Sequence, residues 1–242
     1  MKFAVLVLIS LVGLGGVAQA SGILEPVLNV PKGGDTSPHV ALTLDACTGE
    51  ADQRILSALV EQKIPATVFV TARWLKRNPQ SIALFKANPA LFEIENHGAR
   101  HVPTIDVPMA IYGLKVAGSP QAVIEEVKGG EEAIVAGFGN EPKWFRGAGA
   151  VYTKSSMAEI EALNQKIAGY SIAGDGGATY SAKRTAETIS AAHDGDVILA
   201  HVNQPKKPAG AGVVEGIVKL QSKGFVFVKL DQAEADYGHW TL

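Results

Sequence analysis

Leu91-Phe92-Glu93-Ile94-Glu95-Asn96-His97-Gly98-Ala99-Arg100-His101 is the stretch on which the fold turns. Its front half reads as a short strand running to Asn96, and its back half carries two histidines four residues apart. A single helical turn between His97 and His101 puts both rings on one face. Neutral imidazoles held that way clamp a divalent metal. Packing or capping explains one such pair equally well, so the metal reading needs polar groups at the ends of other strands.

Strand-like and helix-like segments alternate on both sides of this stretch, from about residue 38 onward. His39-Val40-Ala41-Leu42-Thr43-Leu44 is β-prone, and residues 51–63 form a helix with Ile55, Leu56, Leu59 and Val60 on its apolar side. Ala66-Thr67-Val68-Phe69-Val70 is nearly continuous apolar strand, as a parallel sheet buried on both faces requires. A helix over 80–87 leads into the quoted strand. Residues 102–119, with Pro103 and Pro108, form an irregular excursion over one mouth of the domain. Beyond it come a helix (121–137), a strand (143–146) stopped by Gly147-Ala148-Gly149, a helix (155–168), a strand (170–173), a helix (183–192), a strand (197–201), a helix (213–223) and a last strand (225–230). About seven β/α units, without a fixed-period repeat or a long linker, predict an α/β fold, a distorted parallel (β/α)7-type barrel; an open doubly wound sheet is the alternative.

At the N-terminus, Lys2, the apolar run from Phe3 to Leu14 and Ala18-Gln19-Ala20 make an export signal cleaved before Ser21. The run is too short for a transmembrane helix, although an uncleaved anchor is the alternative. Residues 1–20 are thus a signal peptide, 21–37 an N-terminal extension, 38–232 the folded domain and 233–242 a C-terminal tail. The mature protein is expected in the periplasm or outside the cell, off the membrane. A formal net charge of −2 argues against nucleic acid or an anionic membrane surface as a partner. Cys47 is the sole cysteine, so no intramolecular disulfide forms and the fold rests on its apolar core.

In β/α barrels chemistry gathers at the C-terminal ends of the strands. Asp45 ends the first strand, His97 and His101 the third, Arg146 the fourth, Asp175 the fifth and His201 the sixth. Singly, each has a structural explanation: a helix cap, a surface ion pair, a satisfied core histidine. Ionisable groups at so many strand ends in one layer point instead to a metal-assisted hydrolase. There is no Gly-x-Ser-x-Gly elbow for a serine nucleophile. Gly147-Ala148-Gly149 lacks the Gly-Lys-Ser/Thr of a phosphate loop. His193-Asp194 precedes a strand, at the wrong end of the barrel, and His239 lies close to the terminus.

These residues resemble the polysaccharide deacetylases with a NodB-homology domain, carbohydrate esterase family 4, over roughly residues 38 to 232. Thr43-Leu44-Asp45-Ala46-Cys47 is similar to the family's Thr-Phe-Asp-Asp-Gly, and His97-Gly98-Ala99-Arg100-His101 to its His-[Ser/Thr]-x-x-His. Phe145-Arg146 matches its arginine motif; Asp175 and Leu199-Ala200-His201 match its last two more loosely. The resemblance implies a hydrolase of carbon–nitrogen bonds other than peptide bonds. Its substrate would be an N-acetylated (or O-acetylated) glycan such as peptidoglycan or a chitin-like oligosaccharide. It implies a divalent metal, zinc foremost, on His97 and His101, with Asp45 as general base oriented by Arg146. His201 would protonate the leaving amine, Asp175 favouring its imidazolium, and backbone N–H groups near Gly147 to Gly149 would face the oxyanion.

The chain departs from the pattern in four places. Ala46 stands where the family has its metal-binding aspartate, which leaves a weakened site of two histidines and water. Cys47 either adds a thiolate, a donor that suits zinc, or fills the motif's glycine position as a small buried hydrophobe. Gly98 replaces a hydroxyl-bearing residue, and Gly147-Ala148-Gly149 replaces the usual prolines and aromatic residue. The competing expectation is therefore a catalytically silent protein of this fold that binds a glycan or an envelope component. The retained Asp45, His97, His101, Arg146, Asp175 and His201 favour the enzyme.

Overall fold

The computed structural model describes residues 22–111, 113–232 and 236–241; the export signal read over residues 1–20 lies outside them. In chain order the described elements are β1 (Ile23–Asn29), β2 (His39–Ala46), α1 (Gln53–Glu61), β3 (Ala66–Val70), α2 (Ala72–Arg77), α3 (Pro79–Ala87), β4 (Phe92–Asn96), β5 (Ala110–Ile111), β6 (Leu114–Lys115), α4 (Pro120–Phe138), β7 (Trp144–Phe145), β8 (Tyr152–Thr153), α5 (Lys154–Glu161), β9 (Lys166–Ile167), β10 (Ile172–Ala173), α6 (Ala182–Ser190), β11 (Asp196–His201), α7 (Ala209–Ser222), β12 (Val226–Phe227) and β13 (Asp236–Thr241). The main sheet runs β13-β1-β11-β2-β3-β4-β7-β9, with β10, β12 and β8 added on β11, β2 and β1. From β11 to β9 every neighbouring pair is parallel, while β1 is antiparallel to β11, β13 and β8. This is a curled half-barrel, the distorted β/α barrel expected from the sequence and not the open doubly wound sheet.

Strand periodicity builds two layers from one sequence. On β2, Val40, Leu42, Leu44 and Ala46 join the core between sheet and helices, while Ala41, Thr43 and Asp45 alternate to the inside of the curl. On β4, Phe92 and Ile94 face the helices, and Glu93 and Glu95 take the inner face. The inner layer is apolar toward one end (Leu28, Val30, Ala41, Trp144, Val197, Leu230) and polar toward the strands' C-terminal ends. A sequence that spends its polar residues at those ends defines a mouth.

The helices are set by caps that the sequence carries. Asp52, Thr71, Ser119, Thr153 and Ser181 each accept a backbone N–H at a helix start, each such cap stabilising by about 1 kcal/mol. Gly139, at φ 82°, closes α4 in the left-handed conformation.

Three features differ from the sequence reading. The helix expected over 155–168 ends at Glu161, because Asn164 adopts φ 60° and turns the chain into β9. The short α2 follows β3 with Thr71 as its only signal, too brief for periodicity to show. Residues 21–37, read as an extension ahead of the domain, contribute β1 to the same sheet, and part of the 233–242 tail pairs with it as β13. Among the described residues no helix is long and apolar enough to cross a membrane.

Candidate active site

Parallel register brings Asp45 and His201 directly opposite each other on β2 and β11. Arg146, one residue past β7, is fully buried and fixes Asp45 from the side. Its Nη1 donates to Asp45 Oδ1 (3.0 Å) and Thr43 Oγ1 (2.8 Å), Nη2 to the Gly169 carbonyl (2.7 Å) and Nε to the Ala168 carbonyl (3.2 Å). The guanidinium also lies 4.3 Å over the Phe69 ring. All three nitrogens of its planar fork are therefore engaged, a geometry that only arginine supplies. Burial pushes the Asp45 carboxyl up in pKa, but the His97, Arg146 and His201 charges around it win and hold it below the ordinary carboxylate range.

The histidine loop is not the helical turn that the spacing predicts. Gly98 (φ 85°) and His101 (φ 66°) are both left-handed, and this reversal brings the two rings to 4.9 Å, edge to face. Residues on α4 hold the loop down. Asn96 accepts from Gly98 N–H (2.8 Å) and donates to the Val127 carbonyl (2.9 Å). The buried Glu126 carboxylate accepts from Arg100 N–H (2.8 Å) and Val102 N–H (3.1 Å), and its carbonyl accepts from Ala99 N–H (2.9 Å). His97 Nδ1 lies 2.5 Å from the Arg146 carbonyl oxygen, an acceptor only, so Nδ1 carries the proton. That leaves Nε2 facing Cys47 Sγ at 3.4 Å and Asp45 Oδ2 at 3.7 Å.

Asp175 sits two residues beyond β10, fully buried, and grips His201 twice. The His201 backbone N–H donates to Oδ2 (2.7 Å) and ring Nδ1–H to Oδ1 (3.0 Å). Burial alone would lower the His201 pKa; the Asp175 hydrogen bond first, then Cys47, override it and leave His201 well above the usual imidazole range. His97 behaves alike: burial pulls it down, Asp45 and Cys47 more than compensate, and it stands at about 8. Burial pushes the Cys47 thiol up, but the His97 charge and hydrogen bonds with His101, His201 and His97 bring it well below the ordinary thiol value.

All seven candidate residues read from the sequence thus meet at one mouth. The oxyanion expectation needs one correction: Gly147 N–H is donated to the Tyr152 hydroxyl (2.7 Å) and is not open to a substrate oxygen. Sequence reasoning gave no role to Thr43, although it opens the first motif, and missed Asn96 and Glu126, which shape the site without a motif of their own. Glu126 caps a loop across space, which no local spacing reveals.

The donor set fits a divalent metal. Cys47, His97 and His101 each aim a ligand atom to within 4.8 Å of the other two. A tetrahedral ion with bonds of roughly 2.3 Å to sulfur and 2.0–2.1 Å to nitrogen separates those ligands by about 3.5 Å, against 3.4 Å between Cys47 Sγ and His97 Nε2. A second cluster, Glu93, Glu95 and Asp231, edges a cavity of about 690 Å³ that touches none of the site residues. There Glu93 accepts from Thr67 Oγ1 and Asp231 N–H, and Glu95 from the Lys143 and Trp144 N–H groups, so both buried carboxyl groups already have partners.

The family model for polysaccharide deacetylase matches residues 32–168. No curated protein sequence matches the chain. Among solved structures, a family 4 acetyl xylan esterase from Clostridium thermocellum, in complex with a cobalt ion, is 25% identical, with 80% of this chain and 88% of that one covered at a TM-score of 0.63. The peptidoglycan deacetylase PdaC from Bacillus subtilis is 20% identical over 82% of this chain and 91% of that one, at 0.65. A CE4-family pseudoenzyme from Bacillus anthracis is 17% identical at 0.64; 82% of this chain aligns, but it spans only 66% of the pseudoenzyme's length. The likeness to these structures is one of fold.

Proposed function

We propose, from the premise that this chain belongs to the polysaccharide deacetylase family, that it is an exported enzyme removing N-acetyl groups from a glycan such as peptidoglycan or a chitin-like oligosaccharide. The family's reaction is hydrolysis of a carbon–nitrogen bond other than a peptide bond. The observation that carries the reading is the opposition of Asp45 and His201 in one register, the first held as carboxylate and the second as imidazolium. Acid and base with pKa values pushed apart are what amide hydrolysis asks of a site. Asp45, oriented by Arg146, accepts the proton of the attacking water. His201, oriented by Asp175, delivers a proton to the amine nitrogen as the C–N bond breaks. His97 and His101 would hold a divalent metal, which would supply Lewis acidity for the acyl carbonyl and the attacking water. The Lys2 to Ala20 pattern supports export, which would place the enzyme with envelope or extracellular glycans.

The test is incubation of the purified protein with peptidoglycan and with chitin oligosaccharides, each with added zinc, cobalt or manganese. Acetate and free amino groups appearing in equal amounts support the proposal. Neither product with any of the metals sinks it and leaves the silent glycan-binding reading, which the likeness to a pseudoenzyme keeps in view.

A further inference from the structure

We infer that Cys47 is the third protein ligand of the metal, making this a Cys–His–His centre in which the thiolate replaces a carboxylate. The inference rests on the deacetylase reading for its chemical purpose, but the binding it describes is measured without turnover. Three observations converge on it. Ala46, at the position of the family's aspartate, is fully buried with its methyl group in the helix-facing core, on the face of β2 away from the mouth. Asp45 is committed to Arg146 through Oδ1. Cys47, the first residue past the end of β2, places its Sγ at ligand-edge distance from His97 Nε2.

The surroundings hold the sulfur there. The Cys47 carbonyl accepts a hydrogen bond from the buried Thr71 hydroxyl (2.6 Å), and that same hydroxyl caps α2 at Trp74 N–H (2.9 Å). One threonine therefore ties the cysteine backbone to the start of a helix. On the other ligand, the Arg146 carbonyl fixes His97 with Nε2 toward the sulfur, the supporting partner that metal-binding histidines use. The thiolate also keeps a negative ligand in the set while Asp45 stays available as a base. A donor set with sulfur selects zinc, cobalt or iron over magnesium, calcium and manganese.

The experiment is cobalt titration of the purified protein, read by near-ultraviolet absorption. The expected result is one cobalt per chain with a thiolate-to-cobalt charge-transfer band that zinc abolishes and excess magnesium does not. Cys47→Ser should lose the band and bind cobalt more than about 100-fold more weakly, beyond the roughly 10–100-fold cost of losing a supporting partner. Bound zinc should also protect Cys47 of the parent from iodoacetamide, a readout needing no variant. Stoichiometric cobalt without the band, with Cys47→Ser and Cys47→Ala binding as tightly as the parent, overturns the inference. Alkylation at equal rates with and without zinc does the same and marks Cys47 as a free nucleophile. If acetate release persists in either case, the deacetylase reading stands and only the ligand assignment falls.

Discussion

Asp175→Asn isolates the acid half of the proposed chemistry. Asp175 is fully buried, His201 is about one-sixth exposed, and their charged atoms are 3.0 Å apart. At an effective dielectric near 20, Coulomb's law caps their attraction at about 5.5 kcal/mol. Shifts for an opposite charge this close usually run 1–3 pKa units, or about 1.4–4 kcal/mol. Asparagine also offers a single acceptor oxygen to the two N–H groups that Asp175 now satisfies, which costs about 1–3 kcal/mol of stability. His201 must carry its proton to act as an acid, so the alkaline limb of the rate profile follows its pKa. The limb of kcat/KM for acetate release should therefore move down by about 1–3 pH units. NMR titration of the His201 ring should show the same displacement. A variant whose limb and ring titration both match the parent refutes the assignment of His201 as an acid poised by Asp175.

Three further expectations concern the scaffold. Arg146→Met strands the buried Asp45 carboxylate, and urea unfolding should show a loss of about 3–5 kcal/mol; a loss below about 1 kcal/mol would mean the ion pair is not what keeps Asp45 tolerable. Glu95, lifted by burial to about 9, with Glu93, Asp231 and Lys143 as its charged neighbours, holds a proton in the folded state that the unfolded chain releases near 4.5. The folded state thus binds more protons in between, so stability should fall as pH rises from about 4.5 to about 9, by up to roughly 1.4 kcal/mol per unit. Glu95→Gln should lessen that slope in urea midpoints, most clearly above pH 7 where Glu93, raised to about 7, no longer adds to it, and a parent already flat contradicts the assignment. Gly130→Ala, on α4, sets a methyl group against Asn96 Oδ1 and 2.9 Å from Gly98 Cα; metal affinity should drop at least about tenfold by displacement of the histidine loop, and unchanged affinity would show the loop does not depend on that close approach.

Most of the fold and the side chains gathered at the mouth could be read from the chain, but not the groups that hold them in place. Runs such as Ala66 to Val70, buried throughout, announced a parallel sheet, and the polar residues closing strand after strand announced its mouth. What stayed hidden depends on contacts across space. The Arg146 carbonyl that fixes the His97 tautomer has no side-chain signature, and Glu126 serves a loop far from it in sequence. The helical turn expected between His97 and His101 failed because spacing does not reveal backbone handedness, although Gly98 permits the positive φ. Period-two alternation puts Asp45 and Cys47 on one face only if the strand continues, and β2 stops at Ala46; that Cys47 still meets the histidines, and that Ala46 turns into the core, depends on how β2 sits against β3 and β4.

The most direct test of the account compares acetate release from an N-acetylated glycan by the zinc-loaded parent and by Asp45→Asn, with zinc content measured on the same samples. We expect equal zinc in both, acetate from the parent, and a rate lower by about 10²–10⁴-fold in the variant. A zinc-loaded parent that releases no acetate, or a variant as fast as the parent at equal zinc, would contradict it.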